Sequence, residues 1–552
     1  MHRTLFLLLA LTATLSAQQP LTQATSARLW LKVPADQQPL RDIRVSTGSA
    51  SPAPWEKDPA VRERLSDILF PIRWWAWNKI EISFTPGGDG SVELSLNGPW
   101  AQEKNGAMPR TEILWDDITA EGAEIRNGGF EESTDKGPSA WESPWSPYLA
   151  AENWPLTAAE PLSGKSVAAS WCQRPLNQTL QVKAGHKVIL KLHAKAATTP
   201  DFIAPKRLPE TTPAHRAMAR LKRGVNLGNG WEAPPDQGWG LRFTKEDIDH
   251  IADEGFDHIR VPVAWHHHLK EKDGVYEIEP AFLAEIEPVL RRALDRKLHV
   301  MLNWHHFNDF TAAPAAHLGR FIAVWETLAR HFRSWPPGLF LELLNEPCDA
   351  LTTESLAAVY QKTSTAVRRI DPQRILVMSP GQWGQVSELD KLRLPDTDDR
   401  IIVTVHCYEP LQFTHQGAGW VGYQQLSGIV YPGPPEKPFV IPNSLKNDTG
   451  VRAFVDGYNT LPSTSNPSSA FHLRQTFDAA RAWSRYFGRP VHLGEFGSHN
   501  AGDHSSRSRY LHDVKSLAEE RCIPWTLWEW KASFGYWDAV KQKPVFRKAL
   551  ME

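Results

Sequence analysis

The sequence predicts an α/β protein in two parts: an all-β jelly-roll or sandwich region over residues 18–205, and a (β/α)8 TIM barrel over residues 206–552. Three observations carry this. Beyond residue 220, apolar runs begin near Gly224, Asp257, Leu298, Leu339, Arg374, Arg400, Pro490 and Ile523, with amphipathic stretches between most pairs. Eight strands alternating with helices are the pattern of a closed parallel barrel. Before that point, short runs alternate apolar and polar residues between turn signals, as half-buried strands do. Between the two lies ATTPDFIAPKRLPETTPAHR (197–216), rich in proline and threonine, which reads as a linker. A chain of 552 residues also exceeds what one core usually organises.

In the first region Ile80, Ile82 and Phe84 alternate, GGDG (87–90) turns, and Val92, Leu94 and Leu96 alternate again, so a hairpin is expected. Leu180 and Val182 meet Val188, Leu190 and Leu192 across Ala184-Gly185 in the same way, and the same reading applies. Trp75 and the Trp74/Trp77 pair cannot all face one side of a strand. Two stretches resemble sugar-binding jelly-roll modules: EIRNGGFEE (124–132) with Trp141 and QTLQVKAGHKVILKLHAKA, and WNKIEISFTPGGDGSVELSL ending in EILWDDI. They occur in reversed order, which reads as one permuted sandwich or as two modules. In the barrel region Thr244 with Asp247 forms a capping pair and Gly255 a helix stop. The longest insertion follows the sixth strand, at about residues 410–468.

Composition narrows the function. The net charge is −2, from 61 basic and 63 acidic residues well mixed, so no cationic excess exists to neutralise a nucleic acid. The 24 tryptophans supply flat apolar faces that suit both core packing and sugar rings. MHRTLFLLLALTATLSAQQP places His2 and Arg3 before an apolar run and small residues, the layout of a secretory leader over residues 1–17. That run is too short for an anchor, and no later stretch is apolar enough to span a bilayer, so a secreted or periplasmic location is expected. Cys172, Cys348, Cys407 and Cys522 lack zinc-type spacing and are too few for a disulfide scaffold, leaving room for one pair.

A barrel of this kind builds its active site at the C-terminal ends of the strands. Those ends carry Arg260, His305-His306, Asn345-Glu346, His406 with Tyr408, Glu495 and Trp528. His406 and Tyr408 share one strand face, and Glu346 and Glu495 come from roughly opposite sides of the mouth. Two facing carboxylates are the minimum machinery for cleaving a glycosidic bond. No metal or other cofactor is expected. In His266-His267-His268 consecutive residues point apart, and strands 1 and 5 offer only Asn226, Asn229 and Ser379.

Residues 220–550 resemble glycoside hydrolase family 5, the cellulase family of the 4/7 barrel clan. The resemblance rests on GVNLGNGWEAPPDQGWG, FDHIRVPVAW, VMLNWHHFND, LELLNEP, VTVHCYEPLQFTHQGAGW, HLGEFGS and WTLWEWKASFGYWD, in order. It implies Glu346 as general acid/base and Glu495 as nucleophile of a retaining double displacement on a β-linked polysaccharide. Arg260 would keep Glu495 ionised, with Tyr408 hydrogen-bonded to it. Asn345 would hold the sugar 2-hydroxyl, His305 and His406 would complete the floor, and Trp528 would stack on the sugar. Asn229, Glu232, His306, His415 and Trp420 match further sugar contacts. Gly230-Trp231 departs from the family pattern, which makes Trp231 either core or an added stacking platform. The expected activity is endo-β-1,4-glucanase, with β-mannanase the nearest rival. A non-catalytic polysaccharide-binding barrel is disfavoured because both carboxylates are kept.

Overall fold

The apolar runs beyond residue 220 form one closed, all-parallel barrel: β1 (Arg223–Asn226), β2 (His258–Val261), β3 (His299–Asn303), β4 (Leu339–Glu342), β5 (Leu376–Met378), β6 (Ile401–His406), β7 (Val491–Glu495) and β8 (Trp525–Leu527). The computed structural model describes residues 24–99, 111–134, 137–143, 161–172, 174–198, 204–235 and 237–552. The leader expected at 1–17 lies outside them. The chain divides into two compact units, Met1–Ile203 and Ala204–Glu552. Among the described residues no helix is long and apolar enough to cross a membrane.

The first unit is built from two five-stranded antiparallel sheets. One runs Leu176–Val182, Gly90–Asn97, Ser26–Lys32, Leu65–Pro71, Ser49–Pro52; the other runs Ala168–Ser170, Ile113–Glu121, Val188–Ala196, Asn78–Thr85, Arg41–Val45. The central strands Ser26–Lys32 and Val188–Ala196 bury every second side chain, and Phe70 of one sheet meets Trp115 of the other edge-on at 6.1 Å. Neither expected hairpin forms. Asn78–Thr85 pairs with Val188–Ala196, and Gly90–Asn97 pairs with Leu176–Val182. Both turns therefore carry the chain from one sheet to the other. Alternation tells which side chains face the core; it does not tell which strand lies alongside. Strands from the two quoted stretches interleave within both sheets. Trp74, Trp75 and Trp77 lie in the bend between strands, so strand alternation does not govern them. Trp74 and Trp75 are buried, and Trp77 packs beside Leu114, Val167, Ala169 and Ala197.

In the second unit Thr244 and Asp247 form a reciprocal capping box on helix Lys245–Asp253, and Gly255 follows with φ +92°. Part of the proline-rich stretch belongs to the barrel. Leu208 N–H donates to Phe487 O, Thr212 caps helix Pro213–Met218, and Ala214 and Met218 pack against Met301, Phe340, Val377 and Ile402 at the N-terminal end. The insertion after β6 includes helices Leu411–Thr414 and Thr449–Thr460.

The barrel interior is more polar than the branched aliphatic layers usual in such folds. His258 and Arg260 on β2, Thr404 and His406 on β6, and His492 on β7 are each spaced to face inward and are buried. The β6–β7 register slips between Val405 and His406, so that Glu495, not Gly494, stands opposite His406. This slip brings the β7 carboxylate to the mouth.

Candidate active site

The core of the site is a buried ion network centred on Arg260. Its guanidinium donates to Glu342 through Nε (2.8 Å) and Nη2 (2.7 Å), to Glu495 Oε1 (2.6 Å), to Asn226 Oδ1 (3.0 Å) and to Asn345 Oδ1 (2.7 Å). Arg260 is 0 % exposed and does not line the cleft. It is therefore a counter-charge beneath the floor and does not itself reach the sugar, although the resemblance also groups it with the substrate-binding residues. Glu342, which sequence reasoning missed, takes half of that fork. It is fully buried in β4 between Leu341 and Leu343. A carboxylate inside an apolar strand needs a buried cation, and the arginine of HIRV on β2 was the available signal.

Glu495 also accepts from the Tyr408 hydroxyl at 2.9 Å. Glu346 lies beyond β4 in the left-handed region, with φ +43°, a strained position for a non-glycine residue. Its Oε1 is 2.7 Å from His406 Nδ1, and His406 Nδ1 is 3.7 Å from Glu495 Oε2. One ligand atom from each of Glu346, His406 and Glu495 falls within 4.8 Å of the others. Such a trio could suit a cation, but the guanidinium already neutralises Glu495 and Glu346 is directly hydrogen-bonded to His406.

Burial raises the pKa of both carboxyls above the ordinary glutamate value. At Glu346, His306 and Arg260 oppose the rise. At Glu495, His406, Arg260 and the Tyr408 hydrogen bond oppose it, while Glu346 adds to it. Only Glu495 holds a direct cation contact and a hydroxyl donor, an asymmetry that favours Glu346 as the seat of a single shared proton. Burial holds His406 down to about 4 and His305 well below its usual value, so both are neutral near pH 7. Burial raises the Tyr408 phenol well above its ordinary value, which keeps it a donor.

A cleft of about 1020 Å³ brings together Asn229, Glu232, His305, His306, Glu346, His406, Tyr408, His415, Trp420, Glu495 and Trp528. Trp528 lies parallel to His305 (centroids 5.6 Å apart, 10°) and covers Gly228, where a Cβ would come within 2.7 Å of the indole. Asn345 lies just under the floor, 2 % exposed, with Nδ2 3.5 Å from His305 Nε2. Glu232 points back at its own loop, accepting from the N–H groups of Asn229 and Gly230, and burial pushes it up to about 8. Asn229 donates from Nδ2 to Glu529 Oε2 at 2.8 Å, and burial pushes Glu529 up to about 7. His415 meets Tyr408 edge-on at 4.9 Å, and Trp420 is 65 % exposed.

Trp231 is core: it is buried, packs on Phe243 and donates from Nε1 to Glu285. The exposed aromatic of that loop is Trp239, between Gly238 at φ +67° and Gly240, where a Cβ would meet Ala233 at 3.0 Å. Trp383, after β5, is also exposed in the cleft, and its N–H donates to Pro347 O beside Glu346. Both tryptophans sit in glycine-rich loops, GWG and GQWG, a signal that was legible. His266 and His268 stack on different partners, Phe307 and Phe282.

A family model described as cellulase (glycosyl hydrolase family 5) matches residues 222–534. Among curated relatives, the chain is 26 % identical to Endoglucanase H of Acetivibrio thermocellus over 325 residues, 59 % of this chain and 31 % of that protein. It is 26 % identical to Endoglucanase 3 of Fibrobacter succinogenes over 339 residues, 58 % of this chain and 51 % of that protein. The chain thus spans about half the length of such relatives, or less. Among solved structures, Thermotoga maritima Cel5A in complex with cellobiose aligns at 30 % identity and TM-score 0.53, over 60 % of this chain and 98 % of that one. The same enzyme in complex with mannotriose aligns at 30 % and 0.52, over 61 % and 99 %.

Proposed function

We propose, because the chain belongs to the cellulase family, glycosyl hydrolase family 5, that it is an exported, retaining endo-β-1,4-glucanase. The observation that carries this reading is the pair Glu346 and Glu495, with oxygens within 4.8 Å across one cleft. Retaining enzymes keep their carboxyl groups about 5–5.5 Å apart, whereas inverting ones need about 6.5–9.5 Å to admit a water. Glu346, carrying the proton, protonates the leaving glycosidic oxygen while Glu495, held ionised by Arg260 and Tyr408, attacks the anomeric carbon. Once Glu495 is an ester its charge is gone, and Glu346 loses a repulsive neighbour. It then takes a proton from the attacking water, which releases the sugar with its configuration restored. Asn345 is the donor for the 2-hydroxyl, and Trp528, Trp420, Trp383 and Trp239 supply ring faces along the chain.

A second reading, a β-mannanase or mixed glucan/mannan hydrolase, has one observation in its favour: the Cel5A relative was crystallised with mannotriose as well as with cellobiose. The leader-like opening MHRTLFLLLALTATLSAQQP supports export. The test is a reducing-end assay on soluble β-glucans, xyloglucan and mannans, followed by proton NMR of the first product. Release of the β-anomer first supports the mechanism, and an initial α-anomer overturns it. Cleavage of mannan alone would move the assignment to the second reading.

A further inference from the structure

Beneath the catalytic floor, the barrel interior holds a run of polar side chains that bond cleavage as described above does not use. His258 Nδ1 lies 2.6 Å from Asp257 Oδ1, and its Nε2 is 2.9 Å from Thr526 Oγ1. Thr526 Oγ1 is also 2.9 Å from His492 Nε2, and His492 Nδ1 is 3.4 Å from Thr404 Oγ1. Thr404 stands two residues before His406 on β6, on the same face. His406 Nε2 is buried and has no hydrogen-bond partner among the described residues. Gly494 opens the space between the two: a Cβ there would lie 2.4 Å from Thr404 Oγ1 and 3.1 Å from His406 Nε2. Gly224 does the same lower down, where a Cβ would fall 2.2 Å from His258 Nε2.

We propose that this run is a positioning column for the catalytic acid: Thr404 and His492 hold His406 with its proton on Nε2, leaving Nδ1 as the acceptor of the Glu346 proton. The inference rests on the acid role of Glu346 proposed above. Its logic is one of hydrogen-bond direction. A neutral imidazole has one donor and one acceptor nitrogen, so fixing one end fixes the other. At the base, the Asp257 carboxylate can only accept, and it also takes the N–H groups of Lys222 and Arg223. In its neutral form His258 donates from Nδ1 and accepts at Nε2 from the Thr526 hydroxyl, and His492 Nε2 lies 3.3 Å from that same acceptor. Thr526 in turn accepts from His492 Nε2–H, so His492 Nδ1 accepts from the Thr404 hydroxyl. The Thr404 oxygen is then free to accept, and the donor facing it across the Gly494 gap is His406 Nε2–H, the contact being made through a bridging water. The opposite tautomer would put Nδ1–H on Glu346 and stabilise its ionised form instead.

Several charged or titratable groups act on the pair from other strands, and the column works against that background. Arg260 and Glu342 act on both His406 and Glu346, Glu495 acts on His406, and His306 acts on Glu346. Burial keeps His492 neutral, as it does His406, and so preserves the one-donor, one-acceptor rule.

Two measurements on the full chain decide the matter. The first is the pH profile of kcat/KM on a soluble β-1,4-glucan for wild type, Thr404→Val and Thr404→Ser. The basic limb, set by Glu346, should fall by about one pH unit in Thr404→Val and return in Thr404→Ser, while the acid limb set by Glu495 stays put. An unshifted basic limb in Thr404→Val, or no rescue by serine, overturns the proposal; a purely structural loss lowers activity without moving one limb. The second needs no substrate and no Thr404 variant: ring-15N histidine spectra at about pH 5, with the His406 signals assigned by their loss in His406→Asn. A protonated Nε2 with an accepting Nδ1 supports the column, and a protonated Nδ1 overturns it. Because this readout is independent of turnover, it separates failure of the column from failure of the glucanase assignment.

Discussion

The ends of β4 and β7 carry the same side chain into the same cleft and treat it differently. Glu495 is the last residue of β7, faces in through a register slip, and is met by a guanidinium and a phenol. Glu346 stands past the end of β4 on a left-handed backbone and is met by one neutral imidazole. Burial raises both carboxyls, but cation contact offsets the cost of charge at Glu495 alone. On the proposed mechanism, the roles are set by what lies behind each carboxylate. Glu342 and Arg260 are as much a part of the division of labour as the two groups facing the sugar.

The comparison breaks most severely if either carboxylate is neutralised. Glu495→Gln should lower turnover of every substrate by on the order of 10⁴-fold or more. Glu346→Gln should cost on the order of 10²–10⁴ with poor leaving groups, yet distinctly less with activated aryl glycosides in the glycosylation step. Equal losses for the two variants across both substrate types would mean that the roles are not divided.

Arg260→Met probes the cause of the asymmetry. It leaves two buried carboxylates uncompensated, and we expect a destabilisation of about 3–5 kcal/mol by urea unfolding. Without the guanidinium Glu495 should titrate higher, so the acid limb of kcat/KM should move to higher pH. An acid limb that stays in place would show that Arg260 is not what keeps Glu495 ionised.

A shortened chain starting at Ala204 asks whether anything outside the barrel acts on either carboxylate. Turnover of soluble oligosaccharides should remain within about twofold of the full chain, because no assigned group lies before residue 220. A large loss from a chain that still unfolds cooperatively would assign part of the site to the sandwich.

The smallest effect is on stability against pH. His406 and His415 both sit at about 4 in the folded state, below the ordinary 6.5, because burial disfavours their charge. Between those values the unfolded chain binds more protons, so their contribution is complete above about 6.5 and is lost as pH falls toward about 4. Glu232 and Glu529, raised by burial to about 8 and about 7, act in the opposite sense over the same range, so the histidine contribution is read as the difference between wild type and His415→Gln in urea midpoints at about pH 7, 5.5 and 4.5. The advantage of wild type over His415→Gln should shrink in that order, and an advantage that grows on acidification would contradict the assignment.

The barrel was legible because each strand is an apolar run with polar residues clustered at its C-terminal end, as in LFLELLNEP and RIIVTVHCY. Residues at those ends were legible for the same reason. Glu342 and His492 were not, since a single polar residue within an apolar run gives no hint of its partners on other strands, and neither does His258 between Asp257 and Ile259. Trp231 and Trp239 lie eight residues apart in one loop, and only the folded backbone shows which of them faces water. In the sandwich, period-two alternation fixed the buried faces, but pairing depended on turn geometry that GGDG does not encode uniquely.

That pairing also governs when the first unit can exist at all. Asn78–Thr85 finds its neighbour in Val188–Ala196, so the second sheet has no middle until the chain has been made to residue 196. A nascent chain emerging at about 5–20 residues per second would carry Asn78–Thr85 with only its Arg41–Val45 edge paired through the synthesis of more than a hundred further residues. Such long-range closure is slow, and exposed apolar strands invite association with other chains. On the proposed export, with the chain crossing its membrane unfolded, that exposure is deferred until the whole chain is across. The interleaving therefore suits a protein whose folding is postponed until the whole chain has arrived, and makes it a poor candidate for rapid cytoplasmic overproduction.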